Sequence, residues 1–253
     1  MAEKITGWKL KFNQIWILTQ KNLELYFKKG PVIIFGILFP FFMALAWIIG
    51  RPIDPIQLFS GILGMSVFFM GTAISPVIFP WETREKNLER ILAAPINLLD
   101  LILSITLASS IFSLIISSLV CIVMIAFLQI SPLIFGWFFL GNLLLSWASA
   151  SLGVIFASPP TDMTANIMTL SSLIKFPLVF ISGIFVPLSQ LSPIFFTLAL
   201  FSPITYFVDL LQSGLGGGVI GIGLDLLALL VWAALLFILS YALHKKTILK
   251  RFR

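Results

Sequence analysis

Apolar residues run almost unbroken along this chain, and a few charged positions divide them into pieces long enough to cross a membrane. The uncharged runs are 30–50, 55–81, 101–161, 176–208 and 226–244. A helix needs about 20 apolar residues to traverse hydrocarbon, so these runs predict one, one, two, one and one spans, six in all. Their expected extents are 32–50, 56–80, 101–128, a fourth ending near 157, then 164–186 and 224–243. Ahead of them, residues 7–28 follow a helical period. Trp8, Phe12, Ile15, Trp16, Leu23 and Tyr26 gather on one side, while Lys9, Asn13, Gln20 and Glu24 occupy another. That pattern predicts an amphipathic helix lying in the membrane interface, stopped by Lys28-Lys29-Gly30-Pro31.

One internal segment breaks the apolar pattern decisively. Residues 80–100, PWETREKNLERILAAPINLLD, carry Glu82, Arg84, Glu85, Lys86, Glu89 and Arg90. A short helix is expected over 82–94, ended by Pro95, with Glu82 and Lys86 as an (i, i+4) pair. Leu88, Ile91, Leu92 and Pro95 form an apolar ridge on it. Two readings stand: a helix that docks on a soluble partner, or a solvated loop whose charges only anchor topology.

Within the spans, small residues mark helix contacts. Ser109, Ser113 and Ser117, and then Ser149, Gly153 and Ala157, recur at every fourth position, which reads as close helix packing rather than a polar path. Pro76 predicts a kink in the second span, Arg51 to Pro55 a tight outer turn, and Asp162 a cap on the fifth span. Lys175 falls near the middle of that fifth span, beside Pro177. It is either a functional cation, a partner for a carbonyl that a proline frees, or a residue placed nearer an interface by the register of the span. From 187 to 223, Pro187, Pro193, Pro203 and a glycine cluster argue against a straight span. Two short helices at the outer leaflet, 192–201 and 202–213, fit better, the second with Ser202 as cap and Pro203 at its first position.

Composition agrees: 59% of the 253 residues are hydrophobic and 10% charged, against about 25% charged in soluble domains. The net charge of +6 does not signal nucleic acid, because the basic residues cluster before Pro31, in the 82–90 segment and after His244. By the positive-inside rule both termini and the central charged loop are cytoplasmic, which suits an even number of spans. No cleavable signal peptide and no internal repeat are expected. Catalytic chemistry is sparse. The chain has no GxxxxGK[ST] motif, a single His244 and a single Cys121, so neither a nucleotide loop, a histidine-based site nor a metal cluster is expected, and Cys121 reads as a small core residue. The apolar runs also lack the carboxylates used by ion-coupled carriers.

Two stretches carry a family resemblance. ETREKNLERILAAPI resembles the charged segment of the permease subunits of type-2 ATP-binding-cassette exporters, with its Leu-Glu core and Ala-Pro ending. ISGIFVPLSQLSP followed by FSPITYFVDLLQ is similar to the late signature of the same family, with Ser-Gly, Pro-Leu, a Pro-x-x-Tyr and an Asp. Lys86-Asn87 stands where many members have Gly-Thr, Ser202 stands for the usual Asn, and Gln212 for a frequent Arg.

The resemblance implies an all-α integral membrane protein of one domain, 1–253. Its parts would be six spans, an interfacial helix (7–28), a coupling helix (82–94) between spans 2 and 3, and outer re-entrant helices (188–213) between spans 5 and 6. It implies a cell-membrane half-transporter: a second copy of the permease, a cytosolic ATPase subunit that binds ATP and Mg, and no cofactor on this chain. Glu82, Arg84, Glu85, Lys86, Leu88, Glu89, Arg90 and Leu92 would meet the ATPase. Lys175, Pro177 and Phe180 would line the substrate path, and Pro203, Tyr206 and Asp209 the outer gate. The cargo would be a drug, lipid or lipid-linked glycan, with Lys175 a candidate for attracting an anionic headgroup. The alternative is a self-contained carrier or channel, which transports without nucleotide. A membrane-embedded enzyme would need buried acids or histidines that this chain lacks.

Overall fold

The computed structural model describes residues 7–26, 28–50, 52–94 and 96–252; Arg51 and Pro95, and the side chains of Trp8 and Lys9, lie outside the described residues. The chain folds into helices, and among the described residues there is no strand. The reason is local. Without water to satisfy backbone groups, a spanning segment must bond its own N–H and C=O groups, and a helix does so within one segment.

Helix α1 (Gly7–Tyr26) precedes a helical stretch made of α2 (Gly30–Ile33), a π turn (Ile34–Leu38) and α3 (Phe39–Ile48). Next come α4 (Pro55–Gly71), α5 (Ser75–Arg84) and the short α6 (Asn87–Ala93). Long helices α7 (Leu98–Leu128), α8 (Ile134–Phe156) and α9 (Thr164–Ile181) follow, then α10 (Pro193–Ala199), α11 (Pro203–Gly214) and α12 (Ile222–Thr247). Short polar side chains start two of them. Asp54 accepts the N–H groups of Ile56 and Gln57 at 3.0 and 3.1 Å, with Pro55 at the first turn of α4. Asn97 and Asp100 form a reciprocal capping box at the start of α7. The cap expected of Asp162 does not form. Met163 precedes α9, and its N–H bonds the Thr161 hydroxyl at 3.1 Å while Asp162 stays exposed.

Side-chain bonds between distant segments define the topology. Lys21 meets Glu82 and Arg251 meets Thr83, so α1, the end of α5 that leads into α6, and the segment after α12 share one end of the molecule. At the far end, Gln57 at the start of α4 bonds the carbonyls of Gly183 and Ile184 after α9, and Asp209 of α11 bonds the amides just before α12. Six helical stretches therefore run between the two ends. Five crossings are helices long and apolar enough to traverse a membrane, α4 and α5 counting as one. The remaining crossing is the Gly30–Ile48 stretch, which at 1.5 Å per residue covers about 28 Å. Helices α10 and α11 bend by 102°, and both neighbours of the pair lie at the far end, so it enters and leaves on the same side.

The α4–α5 span lies at the centre and is enclosed on all sides. Its far half belongs to one apolar cluster, with Phe59, Leu63 and Phe68 against Phe138, Phe207 and Val208. Its other half belongs to a second, with Ile74, Val77 and Phe79 against Leu88, Ile102 and Ile105. Small residues permit this density. Ser113 is fully buried and donates to the Val67 carbonyl at 2.9 Å, while Ser117, Asn142 and Ser146 link α7 to α8. A Cβ on Gly153 would stand 3.1 Å from the Pro76 ring and 2.0 Å from the Ser75 hydroxyl oxygen, so α8 approaches α5 more closely there than a larger residue allows. Cys121 is a free, buried core residue.

Candidate functional site: the central span and its charged end

The central span is broken at Thr72 to Ile74, between α4 and α5. Pro76 causes part of the break, because its missing N–H leaves the Thr72 carbonyl without the usual helical donor. Lys175 fills that role. Its side chain is 3% exposed, and Nζ donates to the Thr72 carbonyl at 2.9 Å. A carbonyl left bare in hydrocarbon costs several kcal/mol, so α9 supplies the donor that the proline removed. The ammonium thus points into the protein, while Pro177 and Phe180 on the same helix are exposed.

At its charged end, α5 stops at Arg84, and Lys86 takes a left-handed conformation with φ 55° before α6 begins. The single helix expected over 82–94 is therefore divided. Glu82 to Arg84 extend the central span, and only Asn87–Ala93 form the separate helix. The expected Glu82–Lys86 pair is lost for the same reason, since the two residues are not on one helix. Glu82 is buried and turned toward α1. Its Oε1 accepts from Lys21 Nζ and from the Tyr26 hydroxyl, each at 2.5 Å. Tyr26 stacks on Trp81 with ring centroids 5.3 Å apart, and Lys29 Nζ lies 5.4 Å over the same indole. Burial, and then the bond to Glu82, push the Tyr26 phenol far above its usual range.

Helix α6 keeps its two faces, but the apolar one is already used. Leu88 is buried and Ile91 and Leu92 pack beside it on the inner cluster. Arg84, Glu85, Lys86, Glu89 and Arg90 are exposed, so this end offers a mixed-charge surface at the end of the buried central span. Of the residues expected to meet a partner, the structure brings those five to the surface and turns Glu82 and Leu88 inward.

The far end is held by amides and backbone. Gln212 Nε2 donates to Gln57 Oε1 at 2.7 Å and to Ser60 at 3.0 Å, joining α11 to α4. Asp209 is buried and accepts the N–H groups of Val219 and Ile220, both at 2.8 Å, and of Gly221 at 3.3 Å, so it anchors the segment leading into α12. Tyr206 donates to the Leu200 carbonyl at 3.0 Å across the α10–α11 bend, and Pro203 starts α11. Gly183 ends α9 with φ 79°, a conformation suited to glycine, and a Cβ there would also press on Leu188 at 2.8 Å.

A protein-family comparison matches residues 13–215 to the ABC-2 type transporter family, most of the chain from the middle of α1 through α11. The chain belongs to that family. It is thus a multi-pass transmembrane permease of an ABC transporter, and the family implies partnership with an ABC ATPase subunit. A comparison with curated proteins returned no match. Several residues that organise this permease carried little signal in the sequence. Lys21, Gln57 and Arg251 read as ordinary polar residues, because their partners are 61, 126 and 168 positions away.

Proposed function

We propose that this chain is the permease half of an ATP-driven exporter that moves a hydrophobic or amphipathic substrate outward, with ATP hydrolysed by a separate ATPase subunit. One observation carries the reading: a mixed-charge, exposed surface at Arg84 to Lys86 and on α6 is mounted on the one span enclosed on all sides by the others. Force applied at that surface enters the centre of the bundle rather than its edge. The interior is close-packed, so such a force is transmitted as a rigid shift of packed helices. In this reading α6 is the coupling helix, the α6 end faces the cytoplasm of a cell-membrane protein, and two permeases pair with two ATPase subunits. The drug, lipid and lipid-linked glycan classes all fit the apolar, exposed faces of the spans.

The test is co-purification of the tagged chain with ATPase subunits encoded beside it, comparing wild type with Glu85→Ala combined with Glu89→Ala. Both positions are exposed, so the pair leaves the fold intact. An ATPase retained by wild type and lost by the pair supports the reading. Transport that proceeds without nucleotide, with no ATPase retained by either protein, replaces it with a self-contained carrier.

A further inference from the structure

Arg251 lies in the 3₁₀ turn Ile248–Phe252 that follows α12, and only 9% of it is exposed. Its Nη1 donates to the Thr83 hydroxyl and to the Thr161 carbonyl, both at 3.2 Å. Its Nη2 donates to the Ala157 carbonyl and, at 2.9 Å, to the Pro159 carbonyl. The guanidinium carbon stands 5.3 Å over the Phe79 ring. Thr83 and Phe79 belong to α5; the three carbonyls belong to the turn that joins α8 to α9. The sequence of that turn explains the arrangement. Pro159 and Pro160 have no N–H, so the turn is short of donors for its own carbonyls. A planar guanidinium with five donors can serve several carbonyls at once, which an ammonium cannot match. Burial lowers the Arg251 pKa to about 10, so it is still a cation at neutral pH.

We propose that Arg251 is a positioning residue: it latches the α8–α9 turn to α5, so that the base of the central span, the start of α9 and the end of α12 move as one body with α6. The proposal rests on the reading of α6 as the coupling helix. It adds a second route to α9 besides the Lys175–Thr72 bond, and this one lies on the α6 side of the break in the central span. The matched family region ends at residue 215, well before Arg251.

The first test uses the chain alone in lipid nanodiscs. Hydrogen exchange is followed over residues 157–163 for wild type, Arg251→Gln and Arg251→Lys. Both variants should speed exchange there by roughly tenfold or more, the loss expected when charge-assisted bonds are removed, while α7 exchanges as before. Unchanged exchange overturns the latch, and so does wild-type protection in the lysine variant, because charge alone would then suffice. The second test uses the complex with its ATPase, spin-labelled at Ala93→Cys and Asp162→Cys in a Cys121→Ala background; both labelled positions are exposed. With Arg251 present, the distance should be the same with and without ATP. With Arg251→Gln it should change or broaden on ATP binding although the ATPase still co-purifies. A wild-type distance that changes on ATP binding overturns the latch. Failure of the ATPase to co-purify with wild type removes the exporter reading, and hydrogen exchange on the isolated chain still decides the contact.

Discussion

The Glu82 hub gives a quantitative expectation. Removing the phenol with Tyr26→Phe deletes one of two bonds to a buried carboxylate oxygen, while the ring keeps its stacking on Trp81. A bond to a charged acceptor contributes about 1.5–3 kcal/mol, and Tyr26 is almost fully buried, so a loss of about 2 kcal/mol is expected. Glu82→Gln keeps an acceptor oxygen but loses the charge that strengthens both bonds, and Oε2 has no partner to receive an amide donor. Lys21 is 30% exposed, so its share is reduced by solvent, and the variant should again lose about 2 kcal/mol. In the Glu82→Gln background the phenol makes only a neutral bond, and Tyr26→Phe should then cost about 0.5–1 kcal/mol. The coupling energy is therefore about 1–1.5 kcal/mol. Unfolding by SDS titration in mixed micelles, followed by circular dichroism, measures all four proteins. pH adds an independent check. The folded phenol pKa is raised, so its contribution is complete below about pH 10 and is lost as pH rises further, when the unfolded phenol ionises and the folded one does not. Wild type should lose stability above pH 10 more steeply than Tyr26→Phe. Additivity within about 0.3 kcal/mol, or identical alkaline profiles, would refute the assignment.

Two further expectations follow from backbone and amide geometry. At Lys86, with φ 55°, Lys86→Gly should stabilise by up to about 1 kcal/mol and Lys86→Val should destabilise by about 1–2 kcal/mol, read by the same titration; the reverse order would show that the left-handed turn is not formed. Gln57→Leu leaves the Gly183 and Ile184 carbonyls without their donor and the Gln212 amide with Ser60 alone, so a loss of about 2 kcal/mol and faster hydrogen exchange over 183–190 are expected, whereas a neutral result would mean that water fills the gap.

The membrane class, the spans and the special character of residues 80–100 were legible from sequence because they depend on local quantities: apolar length, charge placement and proline position. The re-entrant pair was legible for the same reason, since Pro193 and Pro203 punctuate an apolar stretch. The resemblance in ETREKNLERILAAPI and the late signature pointed to the family that the comparison then matched. Tertiary structure decided what those residues touch. The interval Glu82 to Ala94 has helical propensity throughout, yet Glu82 is drawn inward by Lys21 and Tyr26 while Lys86 turns left-handed, so one expected helix became the end of a span and a separate short helix. Lys175 was ambiguous because its role depends on a carbonyl 103 residues earlier, freed by a proline in another helix. Arg251 gave no signal, since one more basic residue in a basic tail after a span is what topology alone demands. Hydropathy is a property of each segment, so sequence determined which segments lie in the membrane. The partner of a buried polar group is chosen by geometry between segments, and only the folded chain holds it.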